Sequence, residues 1–297
     1  MELNICHLYP DILNLYGDRG NIITMKRRLE SRGISVNVDE CSIGQPLDVD
    51  KYDIFFIGGG QDFEQEVLLR DLASGKGKDI CTAVEEEKVF LAICGGYQML
   101  GQTLDDPTGS ESGRPQTLRG LGLLPTRTVF SEQKRRAQVK ATVAAAPFAG
   151  AELEGYEIHT GVTEAEGEPF AHYPDGGREG CVQGNVFGTY LHGLFDTGTL
   201  TEALAGWLCR RKGIDPSTRP SSRWKSTAAS SSTSWPTVCA GRWIWTRCMP
   251  RWEWRSAEWN RDFCICTGAT ARERLPPPWG WRCGRWAMAA GWSSCNF

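Results

Sequence analysis

Residues 88–101 read KVFLAICGGYQMLG. Val89–Ile93 is an unbroken apolar run of strand length, the pattern of a strand buried on both faces of a parallel sheet. The run stops at Cys94, Gly95 and Gly96 follow, and residues 97–100 are compatible with a helix. Strand, tight turn and helix around one reactive side chain make a nucleophile elbow, which presents that side chain at the carboxyl edge of a sheet. The backbone there is crowded, so the residues two before and two after must be small; Ala92 and Gly96 meet that need. A helix that begins directly after the sulfur favours the thiolate. A cysteine with only a packing role is the common alternative, and the polar Gly95-Gly96-Tyr97-Gln98 that follows speaks against it.

The elbow predicts its surroundings. Residues 52–57 (YDIFFI) form a second continuous apolar run, closed by Gly58, Gly59 and Gly60. Residues 3–8 are a short apolar run and residues 34–38 alternate with β-branched side chains, so both read as strands. Residues 20–31 (GNIITMKRRLES) read as a helix with Gly33 as its stop signal, and residues 79–87 as another. Residues 102–118 are polar and rich in Gly and Pro and are expected to be a loop. Strand-like pieces follow at 137–143, 156–160 and 182–186, with a last helix near 199–211. Strands alternating with helices predict an α/β domain over residues 1–215, with a mostly parallel central sheet and flanking helices.

A thiolate nucleophile needs a proton acceptor and donor, and the chain has four histidines: His7, His159, His172 and His192. His192 lies in residues 185–195, NVFGTYLHGLF, where a strand-like run is broken by glycine on both sides of the histidine. That placement makes it the candidate general base and acid. The three glycines after residues 52–57 leave backbone N–H groups able to point at a ligand, so Gly59 and Gly60 are candidate oxyanion donors beside the N–H of Gly95. A phosphate loop or a plain turn would look the same, although neither GxGxxG nor GxxxxGK[ST] spacing is present.

Composition sets the outer limits. The 297 residues are 40% hydrophobic with a net charge of −3, which excludes a wholly disordered chain. No run of 18 apolar residues occurs, which argues against a spanning helix. The opening MELNICHLYPDI lacks a basic stretch followed by an apolar one, so a cytoplasmic location is expected. The average hides a division: residues 218–297 hold 12 Lys+Arg against 4 Asp+Glu and 11 of the 12 Trp, while residues 1–217 hold 21 Lys+Arg against 32 Asp+Glu. The acidic body disfavours nucleic acid and anionic membranes as partners. The tail shows neither helical nor strand period, and its six cysteines form no CxxC pair and have no histidine beside them, against a zinc site. Trp, Arg, Cys, Ser, Ala and Gly in excess is what a GC-rich gene yields out of frame. Residues 216–297 are therefore expected to be a disordered frameshift product with no function, although a basic aromatic arm would carry similar residues.

Four ordered segments, HLYPDILNLYGDRGNI, YDIFFIGGGQDFEQ, LAICGGYQMLG and NVFGTYLHG, together resemble the class I glutamine amidotransferases of the cobyric acid synthase type. More narrowly they resemble the GatD-type glutaminase subunits of lipid II isoglutaminyl synthase. The resemblance implies a flavodoxin-like amidotransferase domain in which Cys94 attacks the glutamine amide to give a thioester and ammonia. It implies His192 as base and then acid, Gly59, Gly60 and Gly95 as the oxyanion hole, and Gln98 in the glutamine pocket. A substrate-binding arginine is expected in EQKRRAQVKATV, with Arg136 the better match and Arg135 next. Many class I enzymes carry an acid two residues after the histidine, but position 194 is Leu. Asp18, an acid from a partner subunit, or a Cys–His pair acting alone are the alternatives. The resemblance further implies a Mur-ligase-like partner of the MurT type, with ATP and Mg bound there, and no cofactor or metal in this chain. Ammonia would pass to that partner to amidate the D-glutamate of lipid II, and through partner and lipid II the cytoplasmic chain could sit at the inner membrane face. The segment GYEIHTGVT is closer to the cobyric acid synthase version, so corrinoid amidation is the second expectation and an inactive frameshifted amidotransferase the third.

Overall fold

The computed structural model describes residues 1–13, 18–60, 62–196 and 198–218. The chain divides into units at Met1–Met249 and Pro250–Phe297, and every described residue belongs to the first. The expectation for residues 216–297 falls outside the described residues, apart from the 3-10 turn Pro216–Thr218.

Strand β1 (Glu2–Leu8) is followed by helix α1 (Asp18–Glu30), β2 (Ser35–Cys41), β3 (Ile54–Ile57), α2 (Asp62–Asp71), α3 (Gly77–Glu85), β4 (Val89–Ile93) and α4 (Gly95–Leu100). Every residue of β3 and of β4 is buried, as unbroken apolar runs require when helices cover both faces. α1 ends where Gly33 takes a positive φ of 71°, the conformation that glycine adopts at least cost. A π-helical turn, Leu72–Lys76, joins α2 to α3.

The remaining elements are β5 (Thr103–Asp106), β6 (Gln116–Arg119), β7 (Thr126–Val143), β8 (Glu152–Ala165), β9 (Ala171–His172), β10 (Arg178–Glu179), β11 (Cys181–Gln183), β12 (Val186–Thr189), β13 (Leu191–His192) and α5 (Leu200–Arg211). The central sheet has six strands in the order β11-β12-β4-β3-β1-β2. All its pairs are parallel except β11–β12. The mostly parallel α/β architecture is therefore the observed one. Phe55 of β3 stacks on Phe90 of β4 with centroids 4.6 Å apart, a stacked aromatic contact between central strands.

A second sheet, of seven strands, runs β10-β9-β7-β5-β6, with β8 paired to β7 and β13. It is mostly antiparallel. Residues 102–118 are not a plain loop as expected: β5 and β6 lie there as an antiparallel pair. Both strands are short and half-exposed, so they bury too little apolar surface to leave an alternating pattern in the sequence. Their connection is closed by Asp106, whose carboxylate accepts the N–H groups of Ser110, Glu111 and Ser112. The strand expected at 182–186 is instead a hairpin, β11 turning into β12 at Gly184, where φ is 59°.

From β1 the chain crosses to β2 on one side, while β3 lies on the other. The strand order thus reverses between β1 and β3, and a crevice opens at their carboxyl ends. Asp18 follows β1, Gly58 to Gly60 follow β3 and Cys94 follows β4, so the topology alone brings three separated segments to this crevice.

Candidate active site

Cys94 sits on the turn between β4 and α4 with φ 51° and ψ −110°, a strained conformation for a residue with a side chain. Its surroundings hold it there. The Cys94 N–H donates to Thr189 O at 2.9 Å, the Gly96 N–H to Gly58 O at 3.0 Å, and the Gln98 N–H to Cys94 O at 3.0 Å. Gly96 has no room for a side chain: a Cβ there would stand 2.7 Å from Ile57 O and 2.9 Å from Gly58 O. This contact clamps the elbow against the β3 loop. The Cys94 thiol is 5% exposed and lies 3.8 Å from the carbonyl of Ile158 on β8.

His192 arrives from a distant segment of the chain, on β13, and is fully buried. Its Nδ1 is 2.7 Å from Asp18 Oδ1. Asp18 is also fully buried and is the first residue of α1, where a helix N-terminus favours a negative side chain. Its Oδ1 accepts from Asn21 Nδ2 at 3.2 Å and its Oδ2 from the Gly59 N–H at 2.6 Å. A Cβ placed on Gly59 would lie 3.0 Å from Cys94 Cβ, 3.1 Å from Asp18 Oδ2 and 3.4 Å from His192 Cε1. Thiol, imidazole and carboxylate therefore converge on a single glycine, in an arrangement able to run nucleophilic catalysis with an oriented base.

Of the three expected oxyanion donors, Gly59 differs: its N–H is engaged by Asp18 and holds the acid in place. Gly60 N lies 3.3 Å from a Cβ position built on Gly95, which places these two backbone segments side by side next to the thiol. Gln98 is 2% exposed; its Oε1 accepts from Gln65 Nε2 at 2.6 Å and its Nε2 donates to Tyr190 OH at 3.1 Å. The two arginines part company on β7. Arg136 is in register with Ile158, on the strand face shared by Gln138 and Tyr156, whereas Arg135 is in register with His159 and pairs with Glu157.

The other face of β8 borders a cavity of about 370 Å³ lined by Arg135, Glu157, His159, Tyr173, Glu179 and Tyr190, among others. Burial pushes the Glu179 carboxyl up to about 8, against the N–H of Tyr190 and the Thr189 hydroxyl that bond it. Burial also raises Glu157, which Arg135 partly offsets, and lowers His159 to about 4. No pattern along the chain announces this cavity, because its residues come from several separate strands. Asp18 carried no signal of its own beyond its place in a recognisable segment. The nearest histidine to it in sequence, His7, is lowered to about 4 by burial and lies in the first strand.

A CobB/CobQ-like glutamine amidotransferase domain matches residues 4–200. The chain is 37% identical over 222 residues to the GatD subunit of lipid II isoglutaminyl synthase (glutamine-hydrolyzing) from Staphylococcus aureus, covering 72% of this chain and 87% of that one. It is 35% identical over 188 residues to a probable cobyric acid synthase of Methanocella arvoryzae, covering 60% of this chain and 35% of that protein. Among solved structures, PurLQS from Thermotoga maritima resembles it with a TM-score of 0.48 and 19% identity, over 70% of this chain and 100% of that one.

Proposed function

The chain belongs to the CobB/CobQ-like glutamine amidotransferases, and from that premise we propose that it is the glutaminase subunit of an enzyme that amidates lipid II. It is a glutamine amidotransferase, so the reaction to be derived is glutamine plus water giving glutamate and ammonia. The observation that carries the site assignment is the convergence of Cys94, His192 and Asp18 on Gly59. Cys94 is the nucleophile: its thiolate attacks the side-chain amide carbon, and the carbonyl π-electrons move onto oxygen. Gly60 and Gly95 N–H groups receive that oxyanion, a contribution of roughly 3–4 kcal/mol per donor in comparable sites. His192, protonated by the thiol, gives its proton to the departing nitrogen, and ammonia leaves with a thioester on Cys94. Water then attacks the thioester, His192 takes its proton, and the thiol is restored as glutamate departs. Asp18 fixes the imidazole tautomer and steadies the imidazolium. Arg136, on the β7 face shared with Tyr156, is assigned to the glutamine carboxylate, and Gln98 to the pocket wall.

Neither GxGxxG nor GxxxxGK[ST] spacing occurs in the sequence. Activation of the acceptor carboxylate is assigned to a Mur-ligase-like partner of the MurT type, with ATP and Mg bound on that subunit. The likeness to GatD over 87% of its length supports this acceptor. Ammonia is mostly protonated near neutral pH, so a closed path between subunits is needed to keep it reactive. A second reading, corrinoid amidation, is supported by the likeness to cobyric acid synthases, but that likeness spans only 35% of the relative.

Glutamate release from glutamine, with and without the Mur-ligase-like partner, tests the proposal in the natural chain and in Cys94→Ser. Release that vanishes in Cys94→Ser, together with amidated lipid II when the partner is present, is the expected result. Release without lipid II amidation, but with amidation of a corrinoid acceptor by a cognate synthetase, would favour the second reading.

A further inference from the structure

The ring of Tyr156 lies parallel to the imidazole of His192, with centroids 5.2 Å apart and planes inclined by 9°. That is an offset stack, the arrangement that ring quadrupoles favour. Tyr156 is directly opposite His192 in the β8–β13 pair, so the two side chains stand on the same face of the sheet. The backbone leaves no slack: a side chain at Gly155 would run into the His192 carbonyl, and a Cβ at Gly193 would stand 3.7 Å from Tyr156 Cε1. Asp18 holds the imidazole edge through Nδ1, and this contact cannot by itself fix the tilt of the ring about that bond.

We propose that Tyr156 is a positioning residue for the proton-transfer step: its ring fixes the plane of His192 and stabilises the imidazolium formed when the Cys94 proton moves to it. The inference rests on the assignment of Cys94 and His192 as the reacting pair. An aromatic face attracts a cation lying over it, and does so more strongly when water is excluded, as it is around fully buried His192. The equilibrium between thiol–imidazole and thiolate–imidazolium is thereby displaced toward the charged, reactive form. Other titratable groups around His192 are few. Asp18 comes from α1, Cys94 from the elbow, and Arg136 of β7 shares the face of Tyr156; Glu157 and His159, also on β8, border the cavity on the opposite face and reach His192 only through space. His7 acts on Asp18 in the same through-space way.

The test is the rate of alkylation of Cys94 by iodoacetamide as a function of pH, read at the Cys94 peptide by mass spectrometry. It needs no glutamine and no partner, so it reports on the pair even if the acceptor is misassigned. Tyr156→Phe keeps the ring and is expected to match the natural chain within about twofold. Tyr156→Leu is expected to react about fivefold more slowly near pH 7, as a lost aromatic contact of this kind implies. Above about pH 9.5 the thiol ionises without help from the imidazolium, and the rates should converge. Tyr156→Met removes the ring while filling much of its volume and serves if Tyr156→Leu does not fold. Equal rates at neutral pH, or a deficit that persists unchanged at high pH in a folded variant, would overturn the proposal. Should Cys94 of the natural chain show no enhanced reactivity near pH 7, the pair itself, and not the role of Tyr156, would be refuted.

Discussion

At the scale of single residues, the site depends on atoms that serve two neighbours at once. Asp18 holds His192 with one oxygen and the Gly59 N–H with the other, so the acid couples the base to the loop beside the thiol. Asp18→Asn should leave the fold intact, since an amide oxygen still accepts a hydrogen bond. It would confront His192 Nδ1 with a donor or an uncharged acceptor and lose the correct tautomer. The expected outcome is a fall of about 10²–10⁴ in kcat for glutamine hydrolysis, with KM little changed, measured in steady state. Cys94 and His192 were legible in the sequence because the residues beside them are glycines, whose backbone freedom is needed only at special turns. The partner of His192 was legible only as one of three alternatives: Asp18 stands 174 positions away, and no period or spacing connects them.

Helices and strands hold these residues through two contacts. Gly96 of α4 presses on the β3 loop without space for a methyl group. Gly96→Ala must push the elbow away from Gly58 by several tenths of an ångström. It should cost about 1–3 kcal/mol of stability by chemical denaturation and lower kcat/KM by at least about tenfold. The second contact is Arg28 of α1, 3% exposed, which donates to Phe195 O at 2.8 Å and to Gly198 O at 3.2 Å. It also pairs with Glu202 of α5 at 2.9 Å. It ties the helix that begins with Asp18 to the segment that follows His192. Arg28→Met strands the Phe195 and Gly198 carbonyls, while Glu202, one-third exposed, keeps Arg32 at 2.8 Å; the expected loss is about 2–3 kcal/mol, less than for a fully buried pair. Thermal melting would show it, and hydrolysis should fall further than the melting shift alone explains. α1 itself was evident from its sequence, but nothing in that sequence marks Arg28 as different from Arg27 or Arg32.

For the molecule as a whole, pH sensitivity should follow from the cavity behind β8. In the folded chain Glu179 holds its proton up to about 8, whereas an unfolded glutamate releases it near 4.3. Its contribution to stability is fully present below the ordinary carboxylate range and is lost as pH rises toward about 8. Glu179→Gln mimics the protonated form, so its stability relative to the natural chain should grow between about pH 5 and 8 and level off above. The difference should reach several kcal/mol by pH 8, read from denaturation midpoints across that range. The tail makes a prediction of a different kind: sequencing the locus should reveal a frame change near residues 215–225, and an intact frame would refute the assignment of 216–297 as aberrant. The parallel sheet, the turn at Cys94, the glycine loop and the glycine-bracketed setting of His192 could be read along the chain, because burial on both faces and tight turns restrict residue type locally. The tertiary structure added that Asp18 bonds His192 Nδ1, that the same carboxylate accepts the Gly59 N–H, and that Tyr156 stacks on the imidazole. Those relations are set by which strand ends meet at the reversal of strand order and by the register between β8 and β13, and such long-range pairings leave no pattern along the chain.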